Sequence, residues 1–476
     1  MLIIIDRKSA TPIYIQIYEQ IISSIKKGTH PPGSRLPSLR QNATHLNLSI
    51  NTVEQAYRLL VSEGYVEARP KSGFIVNRYH PPNDFQHSAS RVSQELERLA
   101  QVRDAVSRKT TLRYDFTYGD FDPQNYPTTQ WLACTREVLY GEDSKEACCY
   151  SDPQGYLRLR EQLSEKVCQE KGKFISPDQI LIMPTTRSAI ASLLHLFDPE
   201  HDAVAMEEPG FIEARETFIY HGYTVKPFLR HKPKESLYAT LDAIKPKIIY
   251  STPANHYPTN AIMSLDERKE LIAWAQENDA YILEDDYCHE FRYNTDPLPS
   301  LQMLDVCGRV ISLRTFSKSL SPATCIEYAI LPPRLMVKWL LGANFHSQVS
   351  WQMQATLAEF IAQGSWDKHL RRVQTSSRLK YEAILAALHS SLGSKIRILD
   401  YQIGLHILLA PKDDRPEKEL IALAEEAGVK VYPTSCYWMS NPPPDWNYVL
   451  LGYSKINLSD ITEGIRRLAN AWFDEK

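Results

Sequence analysis

No two cysteines in this 476-residue sequence are separated by just two residues, and the eight present stand singly apart from the neighbours Cys148 and Cys149. This spacing excludes a zinc ribbon and a disulfide framework and fits a reducing cytosol. Neither a Gly-x-x-x-x-Gly-Lys loop nor a His-Glu-x-x-His segment occurs, which removes phosphate-loop nucleotide chemistry and the common zinc-protease site. Long apolar runs are missing as well: those present are strand-length and broken by charge, too short to span a membrane. The opening Met1-Leu2-Ile3-Ile4-Ile5 stops at Asp6-Arg7-Lys8, without the basic start, long apolar stretch and cleavage site of a signal peptide. Internal repeats and low-complexity tracts are absent. The expectation is a cytoplasmic chain with no metal site and no membrane partner.

What is present is ample apolar material, 43% hydrophobic against 23% charged residues, enough for a large core in more than one domain. The net charge of −3 hides an asymmetry. Residues 1–79 carry ten Lys or Arg against five Asp or Glu, a net of +5, which leaves −8 for the remainder. A basic head on an acidic body suits a nucleic-acid-binding module joined to an unrelated domain.

Within the head, Thr11-Pro12 reads as a capped helix start. Tyr14, Ile17, Tyr18, Ile21, Ile22 and Ile25 recur at helical spacing up to a stop at Gly28. Ser38 can cap a second helix over Leu39–Leu46, and Ser49 a third that reaches Glu63 and closes at Gly64. Ala43, Leu46, Leu48, Val53, Ala56, Tyr57 and Leu60 would be its core. This spacing is that of a helix-turn-helix. Tyr65–Arg69 and Phe74–Val76, around Pro70-Lys71-Ser72-Gly73, then read as a hairpin wing. Arg35, Ser38 and Arg40 around the second helix, Ser49, Asn51 and Thr52 at the start of the third, and Lys71 on the wing are the candidate contacts to double-stranded DNA. Periodicity alone leaves open a small helical interaction domain whose basic residues are simply solvated.

From His80 to Arg113 the composition turns polar and reads as a linker whose latter part forms a short charged helix. From residue 114 to 476, runs such as Ile180–Met183, Ala203–Met206, Lys247–Tyr250, Tyr281–Leu283 and Val310–Leu313 alternate with helical patterns. Continuous apolar strands of this kind belong to a mostly parallel sheet covered on both faces, an α/β fold. Ligands on such sheets bind at the carboxyl ends of strands, where Glu284-Asp285-Asp286-Tyr287 and Arg314-Thr315-Phe316-Ser317-Lys318 stand. A carboxylate, a phenol, hydroxyls and a lysine amine suit a ligand with a pyridine, a phenolic oxygen, a phosphate and an aldehyde. Taken singly, each of these pieces is as readily a solvated or ion-paired residue.

Pro37-Ser38-Leu39-Arg40, Asn51–Tyr57 and Leu60–Tyr65 resemble the GntR-family winged helix, with Ile50 where that family usually carries Arg. Asp152–Leu157, Glu208-Pro209-Gly210-Phe211, Thr252-Pro253, Tyr257-Pro258-Thr259, Glu284–Tyr287 and Thr315–Lys318 stand in the order found in fold-type I aminotransferases. Together, from about Pro12 to Leu468, the chain resembles the MocR subfamily of GntR regulators. The resemblance implies domains at 1–79 and 114–476 and a homodimer. It also implies pyridoxal 5′-phosphate, with Lys318 as the Schiff-base lysine. Asp285 would then pair with the pyridine nitrogen, Tyr287 approach the phenolic oxygen, Phe211 stack on the ring, and Thr185, Thr186, Thr315 and Ser317 hold the phosphate. His256 is a further cofactor-site candidate.

Several positions depart from that pattern. The phosphate-binding Arg seven residues after the lysine is Cys325, and the Gly two further on is Glu327. The phosphate turn, usually Ser-Gly-x-Gln, is Pro184-Thr185-Thr186-Arg187. Ala254-Asn255-His256 and Asn260 replace Ser-His-Gln and Gly, and Cys436 stands where relatives often place a carboxylate-gripping Arg. Arg314 and Arg187 are candidates to replace the lost phosphate contact. The expectation is a transcription regulator that senses an amine, an amino acid or vitamin B6. Two alternatives remain at this point: a working aminotransferase carrying a DNA-binding domain, and a cofactor-free regulator with a vestigial site.

Overall fold

A computed structural model describes residues 3–7, 9, 11–70, 72–78, 89–106, 112–229, 234–293, 298–342, 346–399 and 402–473. The chain divides into two units, Met1–Thr110 and Thr111–Lys476. In the first, α1 (Ile13–Lys26), α2 (Leu39–Leu46) and α3 (Ile50–Ser62) precede a hairpin of β1 (Val66–Arg69) and β2 (Gly73–Val76). Ile17, Ile21 and Ile25 pack with Ala43, Val53, Ala56, Tyr57, Leu60, Val66 and Val76 in one core. Ser38 closes a capping box with Gln41, and the Ser49 hydroxyl accepts from the Thr52 amide, so orphan donors at the starts of α2 and α3 are met locally.

The expected cap of α1 is corrected. Pro12 occupies the N-cap, no side chain caps it, and the Thr11 carbonyl instead accepts from Gln16 Nε2. Much of the expected linker is helical, α4 (Ala89–Val106); its segments 80–88 and 107–111 lie outside the described residues, as does Lys71.

The second unit is built on a seven-stranded sheet of β3 (Ile180–Met183), β4 (Val204–Glu207), β5 (Val225–Phe228), β6 (Ile248–Ser251), β7 (Tyr281–Asp285), β8 (Val310–Thr315) and β9 (Glu327–Ile330). The spatial order is β3-β9-β8-β7-β6-β4-β5. All neighbours are parallel except at β9, which runs antiparallel to both β3 and β8. Every residue of β3, β4, β6 and β7 is buried apart from the half-buried Tyr281, as a sheet covered on both faces requires. Leu181, Met183, Leu283, Ile311, Leu313 and Ala329 share one core with the helices that follow β3 and β4. A four-stranded antiparallel sheet of Ile396–Leu399, His406–Pro411, Val449–Gly452 and Tyr432–Pro433 packs with the helices Ser365–Ser391 and Leu458–Phe473 around a separate core.

Because β9 is reversed, its first residue lies at the sheet edge where the other strands end. Glu327 is thereby paired with Thr315 on one side and Met183 on the other.

Candidate functional site

The carboxyl ends of the strands form the wall of one pocket, lined by Tyr118, Thr186, Phe211, Thr252, Tyr257, Asp285, Tyr287, Thr315, Ser317 and Lys318. Asp285 and Thr315 end β7 and β8, Thr252 follows β6, Phe211 follows β4, and Thr186 begins the helix α5 (Thr186–Leu193) after β3. Six of the sequence-selected cofactor residues therefore share a wall with Lys318. Tyr118, Thr252 and Tyr257 were not selected as site residues. Thr252 and Tyr257 stand in quoted motifs, whereas Tyr118 reaches the pocket from the short strand Tyr114–Asp115, and only its place before Gly119 hinted at it.

Lys318 Nζ lies 4.7 Å from the centre of the Tyr118 ring. Gly119 follows with φ +103°, and a Cβ there would come within 3.4 Å of the same nitrogen, so the chain passes close to the amine. Burial pushes the Lys318 amine down, against a smaller upward pull from Cys288, Glu213 and Asp285. A neutral amine is the nucleophilic form. Asp285 is raised to about 7 by burial, with the Asp286 carboxylate adding to the rise and a hydrogen bond from Tyr250 opposing it. The Tyr287 hydroxyl is buried with no hydrogen bond of ordinary geometry, and burial raises its phenol well above the usual value.

Strand alternation decides which neighbours face the pocket. Asp285 pairs with Leu313 on β8, Leu313 and Thr315 share a face, and Glu327 pairs directly with Thr315. Asp285, Thr315 and Glu327 thus point to the same side of the sheet. Glu327 is 2% exposed, its Oε2 accepts from Thr186 Oγ1 at 2.7 Å, and its Oε1 is buried with no partner.

Four expectations are corrected here. Arg314, one residue off that phase, points to the opposite face and is 1% exposed. Its guanidinium lies 3.3 Å from Asp286 and 3.6 Å from Glu170. Arg187 leaves the pocket for Glu216 on the helix Ile212–Tyr220, at 2.6 Å, with both side chains largely solvated. His256 is buried elsewhere, with Nδ1 2.6 Å from Thr259 Oγ1 and Nε2 3.6 Å from Glu207. Thr185 caps α5 through the Ser188 amide and is not part of the wall.

The wall fits a pyridoxal ring and its aldehyde: an amine, a carboxylate at a strand end, a buried phenol and an aromatic face. It does not fit the phosphate. Among the described lining residues the only cationic side chain is Lys318. Cys325, at φ +48°, is exposed and directs its thiol to the Pro322 carbonyl. The Thr315 hydroxyl donates to Ser317 at 2.8 Å, and the Thr186 hydroxyl is taken by a carboxyl group. A dianion buried there would lack a counter-charge. Cys436 is not part of the wall: it is exposed, with its thiol directed to the Pro433 carbonyl, and Arg215 Nη2 donates to its backbone oxygen at 3.2 Å.

In the first unit, Arg35 and Arg40 are exposed, and Ser49 and Asn51 are exposed at the start of α3. Arg35 packs against the wing, with its Nε 3.1 Å from where a Cβ on Gly73 would stand. Ser38, Ser49 and Thr52 have local partners: the hydroxyls of Ser49 and Thr52 are 2.8 Å apart, and Ser38 serves the capping box. Ile50 is 46% exposed on the same rim. Among the described residues no helix is long and apolar enough to cross a membrane.

Comparison with known proteins bears on both units. Residues 13–76 match the model for bacterial regulatory proteins of the gntR family, and residues 115–446 match aminotransferase class I and II. The chain is 35% identical to the "Uncharacterized HTH-type transcriptional regulator YhdI" of Bacillus subtilis (strain 168), over 98% of this chain and 97% of that one. It is 29% identical to the "Probable rhizopine catabolism regulatory protein MocR" of Rhizobium meliloti, over 99% and 96%. Among solved structures it is similar to LysN, the alpha-aminoadipate aminotransferase of Thermus thermophilus, complexed with N-(5′-phosphopyridoxyl)-L-leucine. That likeness has a TM-score of 0.66 at 26% identity and covers 76% of this chain and 92% of LysN.

Proposed function

The chain belongs to the MocR type of gntR-family transcription regulators, a DNA-binding winged helix fused to a class I and II aminotransferase domain, and from that premise we propose that the large domain is a sensor that captures a vitamin B6 aldehyde on Lys318. The observation that carries this reading is the convergence of Lys318, Asp285, Tyr287 and Phe211 on one wall. Capture needs no redox partner: the neutral amine forms a C=N bond to the carbonyl carbon, and one water leaves with the carbonyl oxygen and both amine protons. Asp285 would hold a proton on the ring nitrogen, Tyr287 would hydrogen-bond the phenolic oxygen, and Phe211 would cover the ring. LysN supports the ring placement, being an aminotransferase of this fold with a phosphopyridoxyl ligand.

An amine, an amino acid or the vitamin itself would be the effector, acting through its differential affinity for two arrangements of the regulator. The active form would be a homodimer whose paired heads read paired half-sites. Cys436 and Cys325 stand where a working transaminase needs arginines, which favours sensing over turnover.

The test is the absorption spectrum of the full chain with pyridoxal and with pyridoxal phosphate, against Lys318→Ala. A Lys318-dependent band with either compound is expected. No band with either would leave a cofactor-free DNA-binding regulator.

A further inference from the structure

Glu327 stands directly behind the pocket wall, against its residues Thr186 and Thr315. A carboxyl group in the core has to be matched by its ligand, because a buried polar atom without a hydrogen bond costs about 1–3 kcal/mol. One oxygen of Glu327 is matched by Thr186, and the other is buried and unmatched. The side chain stands on the Thr315 and Asp285 face of the sheet, and it engages the first residue of α5. In the resembling family this is the end of the pocket that takes the phosphate.

Three independent facts bear on what this end can hold. Among the described residues of the wall no cation stands there: Arg314 lies on the other face with Asp286, and Arg187 is with Glu216. The Thr186 hydroxyl donates its one proton to Glu327, and the Thr315 hydroxyl donates its own to Ser317, which leaves Ser317 as the one of these three hydroxyls with a proton for a ligand. Burial, together with Asp285, raises Glu327 well above the usual carboxylate range. A hydroxyl group can donate to a carboxyl oxygen whether or not the carboxyl is ionised; a phosphate dianion only accepts, brings two charges and opposes any charge on Glu327.

We propose that Glu327 and Thr186 convert the phosphate end of this pocket into a hydroxyl subsite, so that the chain selects an unphosphorylated aromatic aldehyde with a hydroxymethyl arm, pyridoxal itself, over its phosphate ester. The hydroxymethyl oxygen takes the unmatched Glu327 Oε1 as its partner, and Lys318, Asp285 and Tyr287 hold the ring. This rests on the reading of the pocket as a B6-aldehyde site and narrows it to the unphosphorylated form.

The experiment is spectral titration of the full-length wild type, Glu327→Gly, Glu327→Gln and Lys318→Ala with pyridoxal and with pyridoxal phosphate. The readout is the ratio of the two dissociation constants in each protein. Taking the change in ratio between proteins cancels the intrinsic reactivity of the two aldehydes. The expected result is that both Glu327 variants shift the ratio toward the phosphate ester, by tenfold or more for Glu327→Gly. Glu327→Gln keeps the size and the hydrogen bond to Thr186, so it reports on the carboxyl even if glycine loosens β9. A ratio unchanged within twofold in both folded variants overturns the hydroxyl subsite while leaving Lys318 capture intact. A Lys318-dependent band with neither compound overturns the B6-aldehyde reading itself.

Discussion

The hydroxyl of Tyr250 on β6 donates to Asp285 Oδ2 on the adjacent strand β7 at 2.5 Å, inside the protein and away from solvent. This bond favours the ionised form of Asp285, as does the Lys318 amine when protonated, while burial and the neighbouring carboxylates favour the neutral one. The ability of Asp285 to hold a protonated ring nitrogen therefore depends on Tyr250. Tyr250→Phe removes a hydrogen bond to a charged group, which is about 1.5–3 kcal/mol. Affinity for the ring-bearing aldehyde is expected to fall roughly ten- to a hundredfold, read by spectral titration against wild type at the same pH.

The two arginines near the pocket separate cleanly by burial. Arg314→Ala leaves Asp286 buried without its guanidinium, and breaking a buried pair from one side costs about 3–5 kcal/mol. Arg187→Ala removes a solvated pair with Glu216, about 0–1 kcal/mol. Urea unfolding is expected to show a large fall in midpoint for the first and almost none for the second. Equal effects would mean that the Arg314 cluster is wetter than its burial indicates.

A histidine sets part of the acid sensitivity. His406 is fully buried beside Tyr118 and Tyr257, with Nε2 2.7 Å from the Pro258 carbonyl, and burial lowers it to about 4. The unfolded chain takes up this proton near 6.5 and the folded chain only near 4, so between those values the unfolded state binds more protons. The contribution of His406 to stability is intact above pH 6.5 and is lost as pH falls toward 4, by on the order of 3 kcal/mol at most. His406→Gln should flatten the fall in urea midpoint between pH 6.5 and 4, whereas the buried Asp285, shifted the opposite way, is common to both proteins and cancels. An unchanged slope would show that burial does not lower His406 in the fold.

On the DNA side, Arg40 is exposed in the first turn of α2 and Asn51 is exposed at the start of α3. With duplexes selected from a random pool by the purified chain, Arg40→Ala is expected to weaken all sites alike and to reduce the salt slope by about 0.9, the signature of one phosphate contact. Asn51→Ala is expected to relax preference at one base position by about 1–3 kcal/mol while leaving the salt slope in place. Anisotropy at several salt concentrations distinguishes the two. A change in base preference for Arg40→Ala with no change in slope would reverse the assignment.

The elements of the winged helix were legible because their signals are local. The isoleucine spacing of α1, the hydroxyl caps Ser38 and Ser49 and the glycine after α3 act over a few residues each. The exception, Thr11, reads as a cap by residue type, but Pro12 takes the cap position and the Thr11 carbonyl serves Gln16 instead. The apolar runs that became β3, β4, β6, β7 and β8 were equally plain, since a strand buried on both faces has to be apolar throughout.

By itself, then, the sequence determined the two-part architecture, the strand ends that bear Asp285 and Lys318, and the exposed polar start of α3, all through short-range pattern. Tertiary structure alone decided which side chains those strand ends share. Alternation along β8 sends Thr315 to the pocket and Arg314 to the far face. The reversal of β9 brings Glu327 to Thr186 across 141 residues of sequence. Pairing direction and register join distant segments through backbone hydrogen bonds and burial, and a slip of one residue would exchange the two faces. A single sequence records the residues that take part in such pairings but not which of them come to lie side by side.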